Sequence, residues 1–127
     1  MNNQKKKILL IEDEPALQEA IKMKMEQKGI EVCAFDTGET ALEFLKKEKP
    51  DLVWLDVLLP GINGLEVLKR IRENEKIKDL PIVIVSVSAG PEKIKKAFSY
   101  NVIDYIIKSE YTIDNIVKKV KGIMDSI

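Results

Sequence analysis

Five short apolar runs recur along the chain: Ile8 to Ile11, Val32 to Phe35, Leu52 to Leu55, Ile82 to Val85 and Ile103 to Ile107. Rich in β-branched and aromatic residues, and without alternation between apolar and polar positions, they have the pattern of strands buried on both faces. Between them apolar residues return at helical spacing. Ala16, Leu17, Ala20, Ile21, Met23 and Met25 mark a first helix that Gly29 closes, since glycine takes the left-handed conformation freely. Ala41, Leu42 and Leu45 mark a second helix before Pro50; Leu65, Val67, Leu68 and Ile71 mark a third; Ile94, Ala97 and Phe98 mark a fourth. Ile113, Ile116, Val117, Val120 and Met124 mark a fifth, with Thr112 as its N-cap. Strand followed by helix five times predicts an α/β fold, a doubly wound (βα)5 with a parallel sheet covered on both faces. In such sheets ligands bind at the carboxyl ends of the strands, near the point where strand order reverses.

At 127 residues the chain is expected to form one domain over 1–127. Its 21 basic residues balance 21 acidic ones, so no overall field draws it to nucleic acid or to an anionic membrane, and partners must be recognised locally. The longest apolar runs fall far short of the roughly 20 residues of a membrane span. The basic start, Met1 to Lys7, leads into an apolar stretch too short for a signal-peptide core, so a cytoplasmic location is expected. Lys5 to Lys7 has the character of a solvated lead-in. One cysteine, Cys33, excludes an intrachain disulfide and is expected to be a small buried hydrophobe, and with no histidine the usual zinc sites lack ligands.

The strand ends carry the candidate chemistry. Strand one runs into Glu12 and Asp13, strand three into Asp56, strand four into Ser86, and strand five into Lys108. Each alone has a plain reading as the point where a strand leaves the core, and Lys108 alone could be a surface ion-pair lysine. Together they are more specific. Three carboxylates brought to one crevice repel one another unless a cation joins them, and an all-oxygen ligand set favours a hard ion such as Mg²⁺. A carboxylate nucleophile, a divalent cation, an ammonium and a hydroxyl are the components of acyl-phosphate chemistry on aspartate.

Motif by motif, the sequence resembles the CheY-like receiver domains of bacterial response regulators, over nearly the whole chain from Lys7 to about Ile123. Ile-Glu-Asp-Glu at 11 to 14 resembles the family's acidic pair, and Trp54 to Gly64, with Pro60 and Gly64 in place, resembles its phosphoacceptor strand and loop. Pro81 to Ser86 and Asp104 to Lys108 resemble its fourth and fifth strands. The resemblance implies a flavodoxin-like strand order, 2-1-3-4-5. It implies that Asp56 is the phosphoacceptor, that Asp13, Asp56 and the Leu58 backbone carbonyl bind Mg²⁺ with Glu12 acting through water, and that Ser86 and Lys108 contact the phosphoryl group. Ser86 and Tyr105 become the switch pair, altering the face made by the fourth helix, fifth strand and fifth helix. The implied role is a phosphorylation-dependent signalling switch in a two-component system or phosphorelay, and not an enzyme, although the domain assists its own phosphorylation and dephosphorylation. The implied partners are a histidine kinase or phosphotransfer protein and a downstream protein target or an output domain outside this chain, with a homodimer through the switching face as an option.

Four positions depart from the family pattern. Ser109 follows Lys108 where proline joined through a cis peptide is usual, and a cis bond before serine costs about 3–4 kcal/mol, so a trans loop is the alternative. Val87 stands where alanine or glycine is usual and narrows access for a donor or for water. Asn101-Val102 replaces Gly-Ala, and asparagine tolerates the left-handed turn this requires. Two other functions fit the same scaffold: a degenerate receiver acting as a phosphorylation-independent interaction module, and a small aspartate-nucleophile phosphatase. The latter normally wants a second acid two positions beyond its nucleophile, where this chain has Leu58. A Walker-type nucleotide loop is missing after strand one.

Overall fold

A computed structural model describes residues 5–127; Met1 to Gln4, the start of the basic lead-in, lie outside the described residues. The elements alternate as β1 (Lys7–Ile11), α1 (Pro15–Gln27), β2 (Glu31–Phe35), α2 (Gly38–Phe44), β3 (Leu52–Leu55), α3 (Gly64–Glu73), β4 (Ile82–Ser86), α4 (Pro91–Ser99), β5 (Asp104–Ile107) and α5 (Ile113–Asp125). All strand pairings are parallel, in the order β2-β1-β3-β4-β5. The doubly wound (βα)5 sheet and its 2-1-3-4-5 order are therefore as the sequence predicts.

Period-two alternation explains why the strands read as unbroken apolar runs. Leu9, Ile11, Val53, Leu55, Ile82 and Ile84 point to one face, where Ala41 of α2, Val67, Leu68 and Ile71 of α3 and Ala97 of α4 cover them. Ile8, Leu10, Leu52, Trp54, Val83 and Val85 point to the other, under Ile21 and Met25 of α1 and Ile116, Val117 and Val120 of α5. At about 25 cal/mol per Å² of apolar surface removed from water, these two layers are the main stabilising contribution.

Local signals set the ends of the elements. Thr112 caps α5 by accepting from Asn115 N–H, Asn63 caps α3 through Glu66 N–H, and prolines open α1 and α4. Gly29 at φ +82° closes the α1 turn, and Asn101 at φ 60° takes the left-handed turn expected of it. Some expectations are corrected. β5 begins at Asp104, because Ile103 is turned out to solvent. Met23 and Phe98 lie on the outer sides of α1 and α4 instead of in the core. Cys33 is only half-buried, since its strand lies at the edge of the sheet, although burial still raises its thiol pKa. The lead-in is also partly tied down: Lys6 Nζ donates to the Met124 carbonyl at the end of α5, and Lys7 Nζ pairs with Glu48 at 2.7 Å.

Two contacts brace the strands that carry the polar residues. Arg72, at the end of α3, donates to the carbonyls of Leu80 (2.7 Å), Lys78 (2.8 Å) and Tyr100 (2.7 Å), locking the entrance of β4 to the exit of α4. Gly64 lies directly against the backbone of Asp56 and Val57: a Cβ there would stand 2.1 Å from the Asp56 carbonyl oxygen. Since the obstacle is backbone, Gly64→Ala should destabilise the protein by at least about 3 kcal/mol. Chemical denaturation checks this, and a loss under about 1 kcal/mol would show that the β3–α3 connection yields more easily than its packing implies.

Candidate functional site

The parallel sheet delivers its polar residues to one edge. Glu12 leaves β1 with its N–H on the Phe35 carbonyl (3.0 Å), and Asp56 leaves β3 with its N–H on the Ile11 carbonyl (3.1 Å), so both backbones are still held by the sheet. Both side chains are buried, Glu12 at 1% exposure and Asp56 at 4%, whereas Asp13 is exposed. One carboxylate oxygen from each of Glu12, Asp13 and Asp56 lies within 4.8 Å of the others.

Lys108 crosses from the end of β5 to this group. Its Nζ donates to Asp56 Oδ2 at 2.7 Å and to Glu12 Oε1. The remaining oxygens are also used: Asp56 Oδ1 accepts from Leu58 N–H and Glu12 Oε2 from Glu14 N–H, both at 3.0 Å. The Lys108–Ser109 peptide is trans and opens a 3-10 turn, Lys108–Glu110, which resolves how lysine reaches the site without a following proline. Burial pushes the Glu12 carboxyl above the ordinary carboxylate range despite the opposing hydrogen bonds from Lys108 and Glu14 N–H. Burial opposes the Lys108 charge as well, but its hydrogen bonds to Asp56 and Glu12 outweigh it and hold the ammonium above the usual lysine pKa.

Ser86 and Tyr105 are brought together through a residue that sequence reasoning missed. Ser86 is fully buried, and its Oγ accepts from Ser88 N–H at 3.2 Å instead of contacting Asp56. The Tyr105 hydroxyl donates to the Ser88 carbonyl, so the ring is packed inward at 9% exposure. Burial raises its hydroxyl pKa, and the Asp56 charge adds to the shift. Ser88 carries no side-chain signal of this role, since both bonds use its backbone. Leu58 and Val87 are exposed on the loops that follow β3 and β4.

The donor set fits a hard divalent cation. Among the described residues Lys108 is the only ammonium paired with this group of carboxylates, Asp13 has no ion-pair partner, and all candidate ligands are oxygens.

The doubly wound sheet thus gathers an acid, hydroxyl and lysine set at its carboxyl edge. The chain belongs to the response regulator receiver domain family, whose sequence signature matches residues 8–121. It is 36% identical over 117 residues to the transcriptional regulatory protein CrdR of Helicobacter pylori, covering 91% of this chain and 54% of CrdR. It is 35% identical over 101 residues to AfsQ1 of Streptomyces coelicolor, covering 80% of this chain and 44% of that protein. The chain thus spans about half the length of the curated relatives it matches. Among solved structures, the phosphorylated cyanobacterial phytochrome response regulator RcpA superimposes with a TM-score of 0.83 at 31% identity, over 94% of this chain and 91% of that one. Glu12, Asp13 and Asp56 are the group of carboxylates that could hold a metal ion. Among the described residues no helix is long and apolar enough to cross a membrane.

The charge arrangement has two measurable outcomes. Saturating Mg²⁺ should raise the melting temperature by on the order of 5 to 10 °C through mass action, and Asp13→Asn should remove most of that gain; an equal rise in the variant would move the ion elsewhere. Because the folded pKa of Lys108 is raised, its contribution is fully present below the unfolded lysine pKa and is lost as pH rises through the folded one. Lys108→Met should therefore cost on the order of 2 kcal/mol near neutrality. Urea melts across pH should show that cost shrinking as pH rises beyond the unfolded lysine pKa of about 10.4 toward the raised folded one; a pH-independent cost would mean that only packing was lost.

Proposed function

We propose that residues 1–127 act as one phosphorylation-dependent switch, taking a phosphoryl group on Asp56 from a histidine kinase or phosphotransfer protein in the cytoplasm. The observation that carries this reading is the state of the Asp56 carboxylate: buried at the sheet edge, held by Leu58 N–H on one oxygen and by Lys108 on the other. An Asp56 carboxylate oxygen forms the new bond to phosphorus while the bond to the donor nitrogen breaks, and the donor imidazole keeps that electron pair. Mg²⁺, held by Asp13, Asp56 and the Leu58 carbonyl, with Glu12 through water, would offset the negative charge of the transferring group. Lys108 releases Asp56 and pairs with a phosphoryl oxygen, keeping its second contact to Glu12. The domain is a phosphoacceptor that assists its own phosphorylation and dephosphorylation, without turning over a substrate of its own.

The response passes through Ser88. When the Ser86 hydroxyl moves to donate to the phosphoryl group, the oxygen that accepts from Ser88 N–H moves with it, and the Ser88 carbonyl is the acceptor for Tyr105. A change at Ser86 is thereby coupled to the position of the β4–α4 loop and to the α4-β5-α5 face. That face presents Phe98 and Ile103 to solvent, and it is where a downstream protein, an output domain or a second copy of the chain would read the switch.

Intact mass after incubation with Mg²⁺ and a small phosphodonor tests the assignment. A single phosphoryl adduct that Asp56→Asn abolishes is expected; failure of the wild type to label would leave a phosphorylation-independent interaction module. Val87, exposed beside Ser86, shields the acyl phosphate from water. Val87→Ala should shorten the adduct's half-life by roughly threefold to tenfold, a barrier change of at most about 1.4 kcal/mol, and an unchanged half-life would remove Val87 from that role.

A further inference from the structure

The connection from β3 to α3, residues 56–63, is closed at its base, where Gly64 N–H donates to the Val57 carbonyl at 2.8 Å and Leu58 N–H to Asp56 Oδ1 at 3.0 Å. Beyond Leu58 the chain is irregular until α3 begins. Pro60 has no N–H to give, and among the described residues the one hydrogen bond made by residues 59–62 runs from Ile62 N–H to Glu39 Oε2, at 3.2 Å. Glu39 stands in the first turn of α2, which Thr37 caps by accepting from Thr40 N–H. That turn is seated on the same loop: a Cβ on the buried Gly38 would collide with Val67 of α3 and with Ile62. Gly61, at φ +72°, lets the Glu39 carboxylate lie against bare backbone, where a Cβ would meet it. The Leu58 carbonyl accepts no backbone hydrogen bond among the described residues, so its place is set by the loop that carries it.

We propose that Glu39 is a positioning residue for the site at Asp56: by accepting from Ile62 N–H it holds the tip of the β3–α3 loop to α2, and so fixes where Leu58 stands beside the carboxylates. Glu39 belongs to no part of the group formed by Glu12, Asp13 and Asp56, and it acts through the loop. A loop already ordered before the cation arrives spares binding the entropy of ordering it. The inference rests on the reading of Asp56 as phosphoacceptor and of the Leu58 carbonyl as a Mg²⁺ ligand.

Glu39 is exposed, so neither Glu39→Ala nor Glu39→Gln removes a core contact. Glutamine keeps an acceptor oxygen without the charge, and alanine loses both. In the metal-free intact chain, amide hydrogen exchange at Ile62 should quicken about fivefold in Glu39→Ala, the effect of one hydrogen bond, and less than about twofold in Glu39→Gln. In Mg²⁺ titrations followed at the Asp13 and Leu58 amide signals, Glu39→Ala should raise the dissociation constant by about fivefold, with Glu39→Gln close to wild type. Asp56 labelling by a small phosphodonor at subsaturating Mg²⁺ should slow in the same order. Gly61→Ala, which pushes the carboxylate away, should weaken Mg²⁺ more in the wild type than in the Glu39→Ala background. Unchanged Ile62 exchange in Glu39→Ala overturns the tether, and faster exchange with unchanged Mg²⁺ affinity overturns the positioning role. Equal losses in the alanine and glutamine variants assign the effect to charge and overturn the hydrogen bond as its cause, and equal effects of Gly61→Ala in both backgrounds overturn the contact. A wild type that neither binds Mg²⁺ nor is labelled overturns the phosphoacceptor reading and the positioning role with it. The metal-free exchange then still reports the tether, so the two failures are distinct.

Discussion

Lys108 reaching across the carboxyl edge of the sheet to hold Glu12 and Asp56 together is the interaction on which the site depends. Two carboxylates delivered by adjacent parallel strands, β1 and β3, into a nearly water-free edge would repel each other. The ammonium from β5 joins them across the sheet, so three strands that are separate in sequence become one electrostatic unit. The arrangement is held without being fully compensated. Burial still raises the Glu12 pKa, and Asp13 stands beside the pair without an ammonium of its own among the described residues. Under the proposed function a divalent cation and an incoming phosphoryl group would each change that balance, which is the property a switch requires.

Rigidity elsewhere makes a local change transmissible. The two apolar layers fix the strands, Gly64 brings α3 against the Asp56 backbone, and Arg72 ties the start of β4 to the end of α4. The β4–α4 loop is bonded within this frame on two sides. Ser88 donates its N–H to Ser86 Oγ, and its carbonyl accepts from the Tyr105 hydroxyl, so one peptide segment is bonded to both residues. A shift of that segment at Ser86 is therefore a shift in what Tyr105 can bond to.

The fold was largely legible in the sequence because burial on both faces leaves an unmistakable apolar run for each strand, and helical spacing marks each crossover. Strand ends were less legible. Ile103 is as apolar as its neighbours yet faces water, and Cys33 belongs to an edge strand, a position no local pattern reveals. Of the site, Glu12, Asp13, Asp56, Ser86 and Lys108 were recognisable because polar residues interrupt apolar runs at strand ends. The trans peptide at Ser109 and its 3-10 turn are questions of backbone geometry that composition leaves open. Ser88 was invisible because it works through its backbone, and the clamp made by Arg72 was invisible because each of its acceptors is a carbonyl.

Chemistry at Asp56 is proposed to reach the α4-β5-α5 face through the β4–α4 loop. Backbone amide spectra recorded with Mg²⁺ and with and without beryllofluoride, a mimic of the bound phosphoryl group, test this most directly. Concerted, saturable changes are expected at Ser86 to Ser88, at Tyr105 and along α4 and α5, with little change at β2 and α2 and none of the beryllofluoride response in Asp56→Asn. Changes confined to residues adjoining Asp56, or the same response in that variant, would contradict it.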